Sequence, residues 1–328
     1  MIGRYKIEIY NAAVHYFLTV QRNITVLRGD SASGKSELIR LLEEYNRSRT
    51  SSGITLICDR VCSVLTAEDW ESRLSDMSGR IIFIDEGNDF VRTKRFAEKI
   101  KGSDNYYVII NRDSLSDLPY SINEIYGLRE SDRSKYKNAE QVYNEMYQLY
   151  APFSDFPFEA DHVITEDSGS GFAFFSAAFP GITHASKGKS NILQCLREAN
   201  LHGEKCVAIV DGAAFGSEMD KIYSWLKANP HNAIFAPESF EYLILSSGVV
   251  EVPAGILSRT YQFADSCKYL SWEQFYTDYL IQTTRKTNHA YQKSMLNSFY
   301  TTKGSMSKIL RQMPNNLKIC RVSDNSVR

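Results

Sequence analysis

Eight consecutive residues, Gly29-Asp30-Ser31-Ala32-Ser33-Gly34-Lys35-Ser36, satisfy the pattern G-x-x-x-x-G-K-[ST] at every fixed position. The chemistry this permits is the binding of a polyphosphate. Glycines let the backbone wrap closely enough for its N–H groups to point inward, Lys35 reaches the β and γ phosphates, and the Ser36 hydroxyl can ligate Mg²⁺. The apolar run Ile24-Thr25-Val26-Leu27 precedes the motif and the helical pattern Glu37-Leu38-Ile39-Arg40-Leu41-Leu42 follows it, whereas a Gly/Ser-rich turn that matched by accident would lack this setting. A second segment, Arg80-Ile81-Ile82-Phe83-Ile84-Asp85-Glu86, is a short apolar strand ending in two carboxylates. Asp85 would hold the Mg²⁺ and Glu86 would polarise an attacking water, which makes Lys35 and Glu86 the candidate catalytic residues of a hydrolase. Without the phosphate loop the same segment would read as an ordinary buried strand with an acidic end. Asn111, after Tyr107-Val108-Ile109-Ile110, either senses the γ phosphate or lytic water or is a strand-ending turn residue. No N-K-x-D guanine reader follows Asp85, so ATP is the expected nucleotide.

Two further acids stand at strand ends. Glu166 closes Asp161-His162-Val163-Ile164-Thr165 and Asp211 closes Cys206-Val207-Ala208-Ile209-Val210. Ligands of open α/β sheets bind at the carboxyl ends of strands, and two carboxylates converging there can hold Mg²⁺ or Mn²⁺, hard cations that prefer oxygen. The alternative is that these acids cap the following helices, near Ser168 and Ser217. Gly188-Lys189-Ser190 repeats only the tail of a phosphate loop, since Thr183 stands where its first glycine belongs, and it reads as a polar turn at a helix start. Arg285, Lys286 and Lys293, interleaved with His289, Tyr291 and Phe299, form either a nucleic-acid surface or a solvated helix face.

These residues need a scaffold. Lys6–Tyr10 and Ala13–Leu18 read as an antiparallel hairpin turning at Asn11. After Lys35 come a helix, the strand Ile54–Cys58, a helix over Glu68–Leu74, the strand ending at Asp85, a helix over Thr93–Ile100 and the strand ending at Asn111. Strands alternating with helices imply a mostly parallel sheet. The spacing of Tyr136, Val142, Tyr143, Met146, Leu149 and Tyr150 predicts a helix over 135–150. Pro152 and Pro157 forbid its continuation and mark a boundary. Beyond them, strands at 161–166, 181–183, 206–211 and 233–235 alternate with helices at 172–179, 190–199, 218–228 and 240–246. The expected organisation is therefore a nucleotide-binding domain over 1–151, a second α/β domain over 158–250 and a helical C-terminal extension over 251–328, with helical pieces such as 272–281.

A chain of 328 residues has room for two cores. Lys and Arg number 38 against 39 Asp and Glu, so no global basic field points to nucleic acid, and any such contact must come from a local patch. The six cysteines form no C-x-x-C pair and no zinc pattern, which fits reduced thiols in the cytoplasm. The start of the chain lacks the apolar core of a signal peptide and no window reaches membrane-spanning length, so no membrane partner is expected.

A Glu closing a first strand, an Asp closing a third and acids downstream (Asp220, Glu238, Glu241) resemble the Toprim domain of topoisomerases, primases and OLD-family nucleases. Joined to an N-terminal P-loop ATPase, the arrangement over about residues 1–250 is similar to the ATPase-plus-Toprim proteins of OLD-type bacterial phage defence. The resemblance implies an ATP- and Mg²⁺-dependent ATPase controlling a Toprim-like domain that binds or cleaves nucleic acid. Glu166 would serve as general base or metal ligand and Asp211 as metal ligand, with Mg²⁺ or Mn²⁺. The chain departs from that pattern at Ala213, where Toprim domains carry the second Asp of Asp-x-Asp, and it has no L-S-G-G-like signature between Ser36 and Asp85; Asp76-Met77-Ser78-Gly79 is the nearest segment. An arginine finger would then come from Arg112, Arg129 or Arg133 of another subunit or domain, implying a homo-oligomer or a partner protein. The competing expectation is a nucleotide-dependent regulatory or scaffold protein whose second domain is catalytically degenerate.

Overall fold

In the computed structural model, which describes residues 1–29, 34–131, 141–150 and 158–319, the chain opens with two alternating segments that pair. Strands β1 (Tyr5–Tyr10) and β2 (Val14–Val20) form the expected antiparallel hairpin, with Tyr5 opposite Val20 and Tyr10 opposite His15. Asn11 turns it by accepting the N–H groups of Ala13 and Val14 on its Oδ1, at 2.8 and 2.9 Å. Next come β3 (Ile24–Leu27), α1 (Lys35–Ser48), β4 (Thr55–Ile57), β5 (Cys62–Val64), α2 (Trp70–Ser75), β6 (Ile81–Ile84), α3 (Lys94–Ile100) and β7 (Tyr106–Ile110). Then follow β8 (Ile125–Glu130) and β9 (Val142–Gln148). Thr93 starts α3 by accepting the Phe96 N–H at 3.2 Å.

The expected helix over 135–150 is overturned for its described part, because Val142–Gln148 is a strand. It lies between β2, to which it is parallel, and β8, to which it is antiparallel, with Arg129 opposite Glu145. Two neighbours supply backbone hydrogen bonds on both sides, and that pairing overrides a helical spacing of aromatic residues.

All nine strands share one sheet in the order β4-β1-β2-β9-β8-β3-β7-β6-β5. Its β8-β3-β7-β6-β5 portion is parallel throughout. The two outermost strands, β4 and β5, are consecutive in the chain and joined only by residues 58–61. That link reaches at most about 18 Å, while the edges of a flat sheet of this size stand about 38 Å apart. The sheet is therefore curled. Its concave face gathers Ile7, Ile9, Tyr16, Leu18, Phe83 and Val108 around Leu38, Leu41 and Leu42 of α1. Truncating one of these α1 leucines to Ala would cost about 2–5 kcal/mol.

The described residues divide into two compact units, Met1–Leu149 with Arg259–Ser271, and Tyr150–Ser258 with the residues from Trp272 onward. The stretch expected as a separate C-terminal extension is thus shared between them. The second unit contains β10 (Phe158–Ala160), β11 (His162–Thr165), α4 (Ser170–Ala178), β12 (Thr183–Ala185), α5 (Ile192–Leu201) and β13 (Cys206–Ile209). It continues with α6 (Met219–Ala228), β14 (Asn232–Phe235), α7 (Phe240–Ser246), α8 (Trp272–Thr284), α9 (Lys303–Leu310) and β15 (Leu317–Ile319). The strands form a fully parallel sheet of order β12-β11-β13-β14, and β10 pairs with β15. Every strand and helix expected between 161 and 246 is present. Among the described residues no helix is long and apolar enough to cross a membrane.

Candidate functional site

In the first unit, Gly34 precedes α1 with φ +80° and ψ 2°, a left-handed conformation that glycine adopts without a Cβ penalty. A Cβ there would also stand 2.7 Å from the Tyr16 hydroxyl, which donates to the Gly34 carbonyl at 2.8 Å. Gly29, at the other end of the motif, has φ +124°. Lys35 is buried, and its Nζ donates to the Gly29 carbonyl at 2.9 Å, so the lysine tethers the two ends of the loop. Ser36 is exposed at the head of the helix. Asp30, Ser31, Ala32 and Ser33 lie outside the described residues.

Register brings the other candidates to the same edge of the sheet. Leu27 of β3 is opposite Ile110 of β7, and Ile109 of β7 is opposite Ile84 of β6. The strand exits of Gly29, Asn111 and Asp85 are therefore nearly level, across about 10 Å of sheet. Asp85 is half-buried, and its Oδ1 accepts the Glu86 N–H at 2.8 Å. Burial pushes its carboxyl above the usual range; the Glu86 N–H opposes that shift and the Glu86 charge adds to it. Glu86 is exposed and pairs with Arg112, Nε to Oε1 at 2.8 Å. Asn111 is buried and acts within its own turn, where its Oδ1 accepts the Asp113 N–H at 3.0 Å and a bond from Arg92 at 3.3 Å.

The proposed fingers are engaged within the chain: Arg112 with Glu86, and Arg129 with Glu145 at 3.2 Å while lying over the Tyr147 ring. Arg133 is outside the described residues.

In the second unit β11 and β13 are neighbours with Thr165 opposite Ile209, so Glu166 and Asp211 leave the sheet side by side. The Asp211 N–H donates to Glu166 Oε2 at 3.1 Å. Both line a cavity of about 20 Å³ with Asp167, Gly171, Phe175 and Phe240, a space for roughly one water-sized particle. Burial pushes Glu166 up to about 7; the Asp211 N–H opposes this, the Glu273 charge adds to it and Lys189 opposes it. Asp211 is held well above the carboxylate range by burial first, then by the charges of Glu273, Glu241 and Glu166.

The capping alternative is divided by the structure. Glu166 caps nothing; the neighbouring Asp167 caps α4, accepting the N–H groups of Gly169, Gly171 and Phe172. Asp211 does contact a helix start, accepting the Phe240 N–H at 3.0 Å.

Of the downstream acids, Glu241 joins the site. It is buried, accepts the Tyr291 hydroxyl at 2.9 Å on Oε1, and its Oε2 has no hydrogen-bond partner among the described residues. Asp220 is on α6, bonded by the Tyr150 hydroxyl. Ala213 is buried, its N–H bonded to the Glu238 carbonyl at 3.0 Å, so it presents nothing to the cavity. The basic cluster does not form one surface: Tyr291 is core, His289 stacks on Phe299, and Lys293 donates to Glu273 at 2.5 Å. Burial opposes the Lys293 charge, but Glu241, Glu273 and Asp211 outweigh it and hold the amine above its usual range. Asp167 and Glu273 are site residues that sequence reasoning missed, and Tyr291, expected with the basic cluster, bonds Glu241 instead. Asp167 carried a signal as an acid just before a helix start; Glu273, on α8, carried none.

Among the described residues, the one set of three metal-capable side chains whose ligand atoms lie within 4.8 Å of one another is Asp104, Asp265 and Cys267. Its charge is answered by the Met1 amino group, which donates to Asp265 at 2.9 Å and pairs with Asp104. Glu166 and Asp211 therefore stand as a pair without a third carboxylate at that range.

A scan against protein-family models finds no match, and comparisons with curated proteins and with solved structures find none either.

Proposed function

We propose that the first unit binds and hydrolyses ATP with Mg²⁺ and that the second is a Toprim-like domain acting on nucleic acid. The observation that carries this reading is the shared edge of the curled sheet: a glycine-framed loop with a buried lysine heads α1 beside β3, and Asn111, Asp85 and Glu86 leave the neighbouring strands at the same level. Backbone N–H groups and Lys35 would bind the phosphates. The Ser36 hydroxyl and the Asp85 carboxylate, two hard oxygen donors, suit Mg²⁺, and the raised Asp85 carboxyl marks a site that a cation would relieve. Bound there, the ion would neutralise charge developing on the transferred phosphoryl group. Glu86, once released from Arg112, would orient the attacking water.

In the second unit Glu166, with a carboxyl near neutrality, is suited to act as a general base. Glu166, Asp211 and the unpartnered Glu241 Oε2 fit a site with an excess of negative charge, where Mg²⁺ or Mn²⁺ would be held by Glu166 and Asp211. Nucleic acid as substrate and phage defence as setting follow from the OLD-type resemblance of the domain order.

A second reading has its own support. Lys293 already supplies a cation to these acids and Ala213 removes a ligand, which suits a regulatory or scaffold domain that has lost its chemistry. The two separate in one experiment, measuring ATP turnover together with Mn²⁺-dependent cleavage of plasmid or tRNA. Cleavage abolished by Glu166→Gln with turnover intact supports the nuclease; turnover without cleavage by the wild type supports the scaffold.

A further inference from the structure

The first unit has a second concavity, away from the loop at the head of α1. A groove of about 420 Å³ is lined by Arg47, Arg49, Arg73, Arg80 and Ser63, with Glu43 as the only acidic lining residue among the described residues. Its size falls within the range of ligand sites. Arg47 lies in the last turn of α1 and Arg49 just beyond its end, about 20 Å along the helix from Lys35. The groove is thus distinct from the nucleotide loop.

Two of the arginines are held in place. Arg80 donates to Ser63 Oγ at 3.2 Å, and Arg73 donates to Thr66 Oγ1 at 2.8 Å and to the Val64 carbonyl at 3.2 Å, so β5 and its exit orient both guanidinium groups. Arg47 and Arg49 are exposed, and Arg49 lies over the Tyr45 ring. Among the described residues none of the four is in an ion pair. Elsewhere on the same helix, by contrast, Arg40 pairs with both Glu37 and Glu44. Arg47 also offsets the negative end of the α1 dipole, but one cation suffices for that. Four like charges around one concavity repel each other and focus a positive potential, which an anion with several charges would relieve.

We propose that this groove binds consecutive phosphate groups of a nucleic-acid strand. Guanidinium forks match phosphate oxygens two at a time. Among the described residues no aromatic side chain lines the groove, which leaves bases without a stacking platform there, and recognition runs through the backbone, independent of sequence. The site does not depend on ATP binding at Lys35. Free polyphosphate shares this chemistry, and the test separates the two sources.

The experiment uses the full chain and a short fluorescent single-stranded oligonucleotide, with anisotropy read across a salt series. Each phosphate contact contributes a slope of about −0.7 in log K against log salt, so Arg47→Gln with Arg49→Gln should reduce the slope by about 1.4 and weaken binding about 25-fold at 0.1 M salt. Lys35→Ala should leave both quantities unchanged. Inorganic triphosphate, as competitor, should displace the strand only weakly. Wild-type binding by the double variant overturns the proposal, as does loss of binding in Lys35→Ala. Tight binding of triphosphate that persists in Lys35→Ala, with none of the strand, overturns nucleic acid as the ligand and assigns the groove to free polyphosphate. Both arginines are exposed and neither supports the core, so the double variant should melt within a few degrees of wild type, the difference being the lost offset to the α1 dipole.

Discussion

The two candidate sites solve opposite electrostatic problems. At the head of α1 stand backbone amides and a buried lysine, with Asp85 and Glu86 at a strand tip beside it; such an arrangement suits an anion accompanied by a cation. Between β11 and β13 the fixed groups are carboxylates, enclosed and raised above their usual range, with Lys189 opposing the shift at Glu166 and Lys293 at Asp211. In the first arrangement the lysine is held by an internal partner, the Gly29 carbonyl. The second stores unfavourable charge until protons or cations arrive.

The sharpest way to break this contrast is Lys35→Ala. Removing its ammonium deletes about two charge-assisted contacts to phosphate, an expected loss of about 4 kcal/mol or a thousandfold in ATP affinity, with thermal stability nearly unchanged. Titration calorimetry giving wild-type affinity would remove the phosphate loop from the account.

A smaller effect belongs to the acids. Glu166 rises from its ordinary 4.5 to about 7 on folding, so the folded state holds the proton more tightly than the unfolded one. Its contribution to stability is complete below the unfolded value and is lost as pH climbs through about 7. Urea denaturation should therefore show stability falling by up to about 3 kcal/mol between about pH 5 and pH 8. Asp211 adds in the same direction. Glu166→Gln should flatten the fall, and Mn²⁺ should reverse it at the upper end. A wild-type profile that stays level would place these acids in an unstrained setting.

The smallest change tests the scaffold alone. Gly212 passes so close to the exit of β14 that an added Cβ would stand 2.8 Å from the carbonyl oxygens of both Ala236 and Pro237. Gly212→Ala should cost about 2 kcal/mol in denaturant unfolding and leave ATP turnover untouched. An unchanged midpoint would show that the two strand exits can part freely.

What could be read in advance follows the same contrast. The phosphate motif and the acids of β6 are contiguous in the chain, and their strand-turn-helix context is local, so spacing alone found them. The second unit's alternation was legible because its strands β11, β13 and β14 have apolar, buried cores, as coverage of both faces requires. Val142–Gln148 misled because its aromatic spacing suits a helix, and only its neighbours β2 and β8 decide otherwise. Three-residue strands such as β5 carry too little periodicity to register. Glu273 and Tyr291 reach the Asp211 site only through the packing of distant segments, which no local pattern encodes.

The short strap between β4 and β5 has a consequence for how this protein meets others. A large sheet ordinarily ends in long rows of unsatisfied amides that invite a neighbour's strand, a common route to aggregation. Here both terminal strands are only three residues long, and the chain itself draws them toward each other. Little template is left for a foreign strand to extend. Strand pairing at these edges is thereby disfavoured, and self-association of this unit is left to side chains on its surface, where charge and shape can be selective.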